Sequence, residues 1–251
     1  HHLNEALLAP TLDATHRRRA LQTAGTYFAR GTALAPRNGA LLYNLAAIYD
    51  TVGDRAAATR ALQAAVARDP DHDLAQFALG QHLAAQGDLD AAMDAWRAAD
   101  AATYFAEQGL DLKKESPEDA LSLCDRAAAL DPALAEAHLC RAKVLADLAR
   151  WAEALDAYTR AGVLAPRDPE PSYRAGRIIE RHSDRPDRAA AYYRDALARD
   201  GTYHPAVKAL VGFLADRGRC GEAEAAAAQR GSPTWKPKQR AQLRLQVGGC
   251  F

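Results

Sequence analysis

Apolar side chains recur along this chain at intervals of three and four, the spacing that places them on one face of a helix. From Gly39 the apolar positions are Leu42, Leu45-Ala46, Tyr49, Ala58, Leu62 and Ala65; from Asp73 they are Leu79-Gly80, Leu83, Ala92, Trp96 and Ala99. The same order returns from Ala135 through Ala142, Leu145, Ala154, Tyr158 and Ala161, and from His204 through Val207, Leu210-Val211, Leu214, Ala223 and Ala227. Between these stripes stand Gly53, Gly87 and Gly218, where a first helix must end, and prolines such as Pro70 and Pro166, which forbid a second helix from continuing. The pattern predicts helix pairs over 39–52/55–68, 73–85/88–100, 102–113/117–130, 135–148/151–164, 169–182/186–199 and 204–217/220–230. Ala14–Leu34 reads as the second helix of a leading partial unit within 1–38, with Leu3–Ala9 as its short first helix. Lys236–Val247 reads as a capping helix within 236–251.

The interval itself is regular. Ala35-Pro36 to Asp69-Pro70 and Asp131-Pro132 to Ala165-Pro166 are both 34 residues apart, and the gap between Pro70 and Pro132 is 62, six short of two periods. The unit resembles the tetratricopeptide repeat: a large residue, then Leu with a small residue, then a large residue, a turn glycine, an alanine, an aromatic, an alanine and a closing proline. The likeness covers nearly the whole chain and implies an all-α, right-handed superhelical solenoid of antiparallel helix pairs, divided 39–72, 73–101, 102–134, 135–168, 169–203 and 204–235. Small residues at Ala46, Gly80, Ala142 and Gly176 let the paired helices approach closely while large neighbours fill the remaining space. The six missing residues fall between Trp96 and Pro117, predicting a sharp turn near Asp100. One extra residue near Ser183–Pro186 should be absorbed in a turn.

Composition agrees with packed helices. Alanine supplies 60 of 251 residues, against 16 Gly and 12 Pro. Lys and Arg together number 32 and so do Asp and Glu, a zero balance that argues against a nucleic-acid coat. No run of about 20 apolar residues is present to cross a membrane. His1-His2 reads as a purification-tag remnant, and on that reading the chain is an expressed fragment. Cys124, Cys140, Cys220 and Cys250 lack any C-x-x-C spacing, so no metal or redox motif is assigned; Cys124 is read as a buried small hydrophobe and Cys140 as the accessible thiol on the groove. No Ser/His/Asp grouping, paired-carboxylate motif or Gly-rich phosphate loop occurs, so no catalytic residue, metal or cofactor is expected. Trp96, Trp151 and Trp235 are read as packing residues, and His138 as a core position.

The resemblance further implies a concave groove lined by the second, fifth, sixth, ninth, twelfth and thirteenth positions of each unit, and a protein or peptide as ligand. Those positions hold Tyr43, Asn44, Phe77 and Gln81 in the first units and Lys143, Tyr173, Arg174, Arg177, Arg181 and Lys208 in the later ones. The later set is basic despite the neutral total, which favours an acidic segment as partner, with Arg offering bidentate geometry. A plainer reading stands beside it: Arg174 with Glu170 and Arg177 with Glu180 are spaced to pair along a solvated helix, and Tyr43 and Phe77 are placed to pack between neighbours. The family's peptide-holding asparagine has only Asn44, since Ala78, Cys140 and Ala209 stand at the equivalent positions. A non-catalytic interaction scaffold is therefore the first expectation. An accessory repeat domain of a larger glycan- or sulfate-transferring enzyme or membrane-embedded polymer ligase is the alternative, and self-association through a terminal helix is a further mode. A cytoplasmic setting is favoured over an exported one.

Overall fold

The computed structural model describes residues 14–34 and 38–229. Among the described residues there are thirteen α-helices and no strand. They are α1 (Ala14–Leu34), α2 (Gly39–Val52), α3 (Arg55–Arg68), α4 (Asp73–Ala85), α5 (Leu89–Ala98), α6 (Ala102–Leu112), α7 (Pro117–Leu130), α8 (Ala135–Asp147), α9 (Trp151–Leu164), α10 (Glu170–His182), α11 (Ala189–Arg199), α12 (His204–Ala215) and α13 (Cys220–Gln229). Within each unit helices that follow one another in sequence pack side by side, which puts the chain in the class of all-α helical-repeat solenoids. The expected helices Leu3–Ala9 and Lys236–Val247, together with Trp235, lie outside the described residues. The chain divides into two compact units, the first ending at Ala102 and the second beginning at Thr103.

In the first unit the helix starts are set by short polar side chains. Asn38, Asp54 and Asp88 accept from the backbone N–H groups of Leu41, Ala57 and Ala91, satisfying donors that a helix cannot bond internally. The α2–α3 turn closes on Gly53 at φ +90°, a conformation that side-chain-bearing residues rarely adopt. Inside, Leu42 and Leu45 pack on Ala65 and Ala75, while Ala46, Ala58, Leu62, Leu79 and Ala95 form an adjoining cluster. Gly80 lies flat against the indole of buried Trp96: a Cβ there would sit 2.5 Å from Trp96 Cδ1. The turn after α5 is sharp, as the deleted residues predict. Asp100 takes φ +48°, and the Ala101 N–H reaches back to the Trp96 carbonyl at 3.0 Å.

The second unit repeats the scheme with different fillings. Ala142, Leu145, Ala154, Tyr158, Ala175 and Ile178 form one cluster. Ile179, Tyr193, Leu197, Val207, Leu210, Phe213 and Leu214 belong to a larger one. Gly176 faces Tyr193 as Gly80 faces Trp96, with Tyr193 Cε1 2.6 Å from where a Cβ would be. The inserted residue near Ser183 is taken up before α11, and Pro186–Arg188 forms a 3₁₀ turn instead of the expected first turn of that helix. Here Pro186 fixes its own φ but supplies no N–H, and the regular α-helix starts only at Ala189. Ala149 holds φ +57° at the position where Gly53 and Gly87 stand in other pairs, closing α8 through an Arg150 N–H to Leu145 carbonyl bond of 2.9 Å.

One device recurs that residue spacing did not reveal. Gln76 Nε2 donates to the Pro70 carbonyl at 3.1 Å, and His138 Nε2 donates to the Pro132 carbonyl at 2.9 Å. Both side chains occupy the fourth position of a pair and reach six residues back, clasping the proline turn that leads into their own helix. His138 is thus half-buried and hydrogen-bonded, a different role from the apolar core position expected of it.

Two cysteine expectations are corrected. Cys124 on α7 and Cys140 on α8 are joined in a disulfide, and both are fully buried. Cys140 is therefore no accessible groove thiol: its face of α8 turns onto α7 and onto Gly109 of α6. Nor is Cys124 a free hydrophobe. Among the described residues no cysteine is a free thiol.

Candidate functional site

The groove positions of the first unit lie on α2 and α4. Tyr43 is half-buried, its ring 5.3 Å from that of His72 and packed against the Leu42 and Ala46 clusters, so its ring serves packing first. Asn44 and Phe77 are half-buried and Gln81 is exposed. Beside them runs a polar chain across three helices. Asp50 Oδ2 lies 2.9 Å from His82 Nε2, His82 Nδ1 lies 3.1 Å from the Thr59 hydroxyl, and Gln86 Nε2 donates to that hydroxyl at 3.0 Å. These contacts bind α2, α3 and α4 together on a face that carries the Asp50 carboxylate beside its amide groups.

The six later residues separate into two groups. Lys143 on α8 and Arg174 on α10 converge on one carboxylate: Lys143 Nζ is 3.1 Å from Glu170 Oε1, and Arg174 Nη2 is also 3.1 Å from it. The Arg174–Glu170 pair runs along one helix, as its spacing allows, whereas Lys143 reaches Glu170 from the preceding pair. Tyr173, Arg177, Arg181 and Lys208 instead line one cleft of about 440 Å³ between α10 and α12, together with Glu180, His204, Phe213 and Asp216. Tyr173 forms part of the wall, its ring set edge-on to Tyr203 at 5.7 Å. Arg177 donates to the Tyr173 hydroxyl at 3.3 Å and lies 3.6 Å from Glu180. Glu180 in turn accepts the buried Tyr193 hydroxyl at 2.5 Å. Arg181 and Lys208 enter no ion pair among the described residues, and Arg181 is exposed. Burial first, and then the neighbouring Lys208, hold the His204 pKa below its ordinary value, so at neutral pH its ring adds no charge.

His204 and Phe213 were not foreseen as lining residues, because they stand at the first and tenth positions of their pair. Phe213 is a buried core residue whose ring edge reaches the cleft beneath Arg217, which stacks 3.7 Å above the ring centroid. A second cleft, of about 310 Å³, opens between α9, α10 and α11 and contains none of the predicted residues. At its margin Ser172 donates to Asp195 at 2.5 Å, and Arg199 joins Asp195 to the Gly162 carbonyl at the end of α9.

Three tyrosines of this unit give a pH signature. Burial is the main cause of raised pKa values at Tyr158, Tyr193 and Tyr203; Tyr203 is pushed up to about 12, and the Glu180 hydrogen bond adds to the rise at Tyr193. A raised folded-state pKa favours the protonated phenol. Its stabilising contribution is complete below the unfolded value near 10 and is lost as pH climbs through the folded value. Stability of the second unit is therefore expected to fall steeply between about pH 10 and 12. Tyrosinate absorbance followed beside circular dichroism checks this: three phenols should ionise together with the loss of helix, and early, independent ionisation would contradict the burial described.

What decides the architecture is the recurrence of one contact. The eighth residue of a pair is small and lies under a large residue of the second helix: Ala46 with Leu62, Gly80 with Trp96, Ala142 with Tyr158 and Gly176 with Tyr193. The architecture is an all-α helical repeat of antiparallel pairs. No family model matches the chain, and no curated protein does. Among solved structures, 241 chains match. One is YrrB, described as a tetratricopeptide-repeat protein with an unusual peptide-binding site: 20% identity over 72% of this chain and 96% of that one, with a TM-score of 0.43. Another is PilW, a widely conserved type IV pilus biogenesis factor: 19% identity over 82% and 98%, TM-score 0.48. A third is the C-terminal part of a tetratricopeptide-repeat protein from Cytophaga hutchinsonii: 13% identity over 90% and 93%, TM-score 0.47. At these identities and scores they carry no ligand or residue role to this chain.

Proposed function

We propose that the chain is a non-catalytic protein-interaction scaffold and that its second unit receives an acidic peptide segment in the cleft between α10 and α12. One observation carries the reading. Arg181 and Lys208 line the cleft without an ion-pair partner among the described residues, while the neighbouring cations Lys143, Arg174 and Arg177 are already matched by Glu170 and Glu180. Two unmatched cations facing each other from α10 and α12 mark where an external carboxylate gains most. Tyr173 and Phe213 supply apolar surface beside them, and Arg177 is positioned to donate to an incoming carboxylate as well as to Glu180. Asp216 at the rim favours a segment with a cation or a neutral residue after its carboxylates. In the first unit, Asn44 and Gln81 offer amide groups suited to backbone contacts of a peptide.

The test is a fluorescence-anisotropy titration with a labelled Asp/Glu-containing peptide and a neutral peptide of equal length. The acidic peptide is expected to bind more tightly, with affinity falling as salt is raised. Reversing both charges, Arg181→Glu with Lys208→Glu, should weaken it roughly 10- to 100-fold while leaving the circular dichroism spectrum unchanged. Equal affinity for both peptides, or an unaltered affinity in the double variant, would remove the cleft from the account.

A further inference from the structure

The third helix pair departs from the contact made by Ala46, Gly80, Ala142 and Gly176 in their pairs. Gly109 occupies the eighth position of its pair, as Gly80 and Gly176 do, but the residue above it at the place of Trp96, Tyr158 and Tyr193 is Cys124. A cysteine is far smaller than any of those aromatics. The space is filled by a second sulfur arriving from the next pair: a Cβ on Gly109 would meet Cys124 Sγ at 2.8 Å and Cys140 Sγ at 2.9 Å, with the Ala120 carbonyl at 3.0 Å. The bonded sulfurs are fully enclosed and lie where three helices, α6, α7 and α8, converge.

We infer that the Cys124–Cys140 pair is an oxidative closure for the second unit: its disulfide replaces the aromatic plug of the third pair, so this part of the fold is completed by thiol–disulfide exchange in an oxidising compartment. In that exchange the thiolate of one cysteine attacks a donor disulfide, R–S–S–R, forming a mixed disulfide and releasing one R–S⁻. The thiolate of the other then attacks the mixed disulfide, forming the S–S bond and releasing the second R–S⁻. The two protons given up by the cysteines end on the two departing thiolates. The protein pair is oxidised by two electrons and the donor is reduced to two thiols. Since both sulfurs are sealed from solvent, exchange takes place before α6 and α8 close over α7 or during their reopening. The mature bond then resists reductants for as long as the unit stays folded. The closure spans 16 residues of sequence and crosses from one pair to the next, holding α7 and α8 together.

The test uses the full chain with Cys220 and Cys250 both replaced by serine, so that one pair alone is read. After oxidative purification, unfolding in N-ethylmaleimide should add no mass, and unfolding after reduction should add two adducts. Thermal melts should fall by roughly 5–10 °C after reduction. A second measurement guards against a background that folds poorly. In the otherwise unaltered chain, Gly109→Ala should cost more melting temperature than in the Cys124→Ala/Cys140→Ala variant, because two bonded sulfurs cannot retreat from the added methyl. Two free thiols after oxidative purification, or identical melts in the two redox states, would overturn the proposal. So would a Gly109→Ala cost that is the same with and without the sulfurs.

Discussion

Tyr193→Ala is expected to unfold the second unit at a temperature at least about 10 °C lower, a loss of about 3–5 kcal/mol. The side chain is fully buried among Ile179, Ala190, Leu197, Val207, Leu210 and Phe213, so its removal leaves a ring-sized cavity between α10, α11 and α12. The cavity cannot collapse easily, because Gly176 beneath the ring has no side chain to move into it. The hydroxyl is a separable part. Tyr193→Phe keeps the packing and removes only the bond to Glu180, for which about 1 kcal/mol is expected. Amide hydrogen exchange distinguishes the two readings: the Ala variant should accelerate exchange across α10–α12 while leaving α2–α5 unchanged, since repeats contact chiefly their neighbours. A Phe variant as unstable as the Ala variant would transfer the role from ring to hydroxyl.

In the first unit, Gly80→Val should destabilise by about 3 kcal/mol. Glycine in a helix interior ordinarily costs about 1 kcal/mol relative to alanine, so valine would gain a few tenths on propensity alone. Here sterics decide otherwise. The notional Cβ already lies 2.5 Å from Trp96 Cδ1, and valine adds two methyl groups whose rotamer is restricted in a helix. Trp96 is only 1% exposed and has no room to rotate away. The melting transition of the first unit should fall while that of the second is unmoved. Trp96→Phe in the same background should restore part of the loss by withdrawing the indole edge; if it restores none, the damage comes from elsewhere in the helix.

Why these residues could be read from the sequence, and others could not, follows from what each depends on. Gly80, Trp96, Gly176 and Tyr193 hold corresponding places in their pairs because helix-on-helix approach is a local, repeated requirement, and a repeated requirement leaves a periodic trace. The turn at Asp100 was legible for the same reason, as a break in the interval. The Cys124–Cys140 bond left no such trace. It joins two singular positions across two pairs, and the repeat register placed Cys140 on the groove without showing that its face turns inward. Arg174 and Arg177 could be read as charged, but whether they bind outward or pair inward depended on Glu170 and Glu180 rotamers and on Lys143 reaching from α8, none of which sequence spacing fixes. The clasps from Gln76 and His138 were hidden in plain view, since one is an amide and the other an imidazole at the same place, alike only in offering an N–H.

Those clasps bear on how one pair is joined to the next. Each closes a small ring between the proline turn that ends one pair and the first turn of the next helix, removing slack at the joint where neighbouring pairs could otherwise pivot. With these two joints pinned, the angle at which each helix leaves its turn is held by a side chain as well as by the backbone, so loosening either clasp would let the pairs on its two sides swing like boards on a worn hinge.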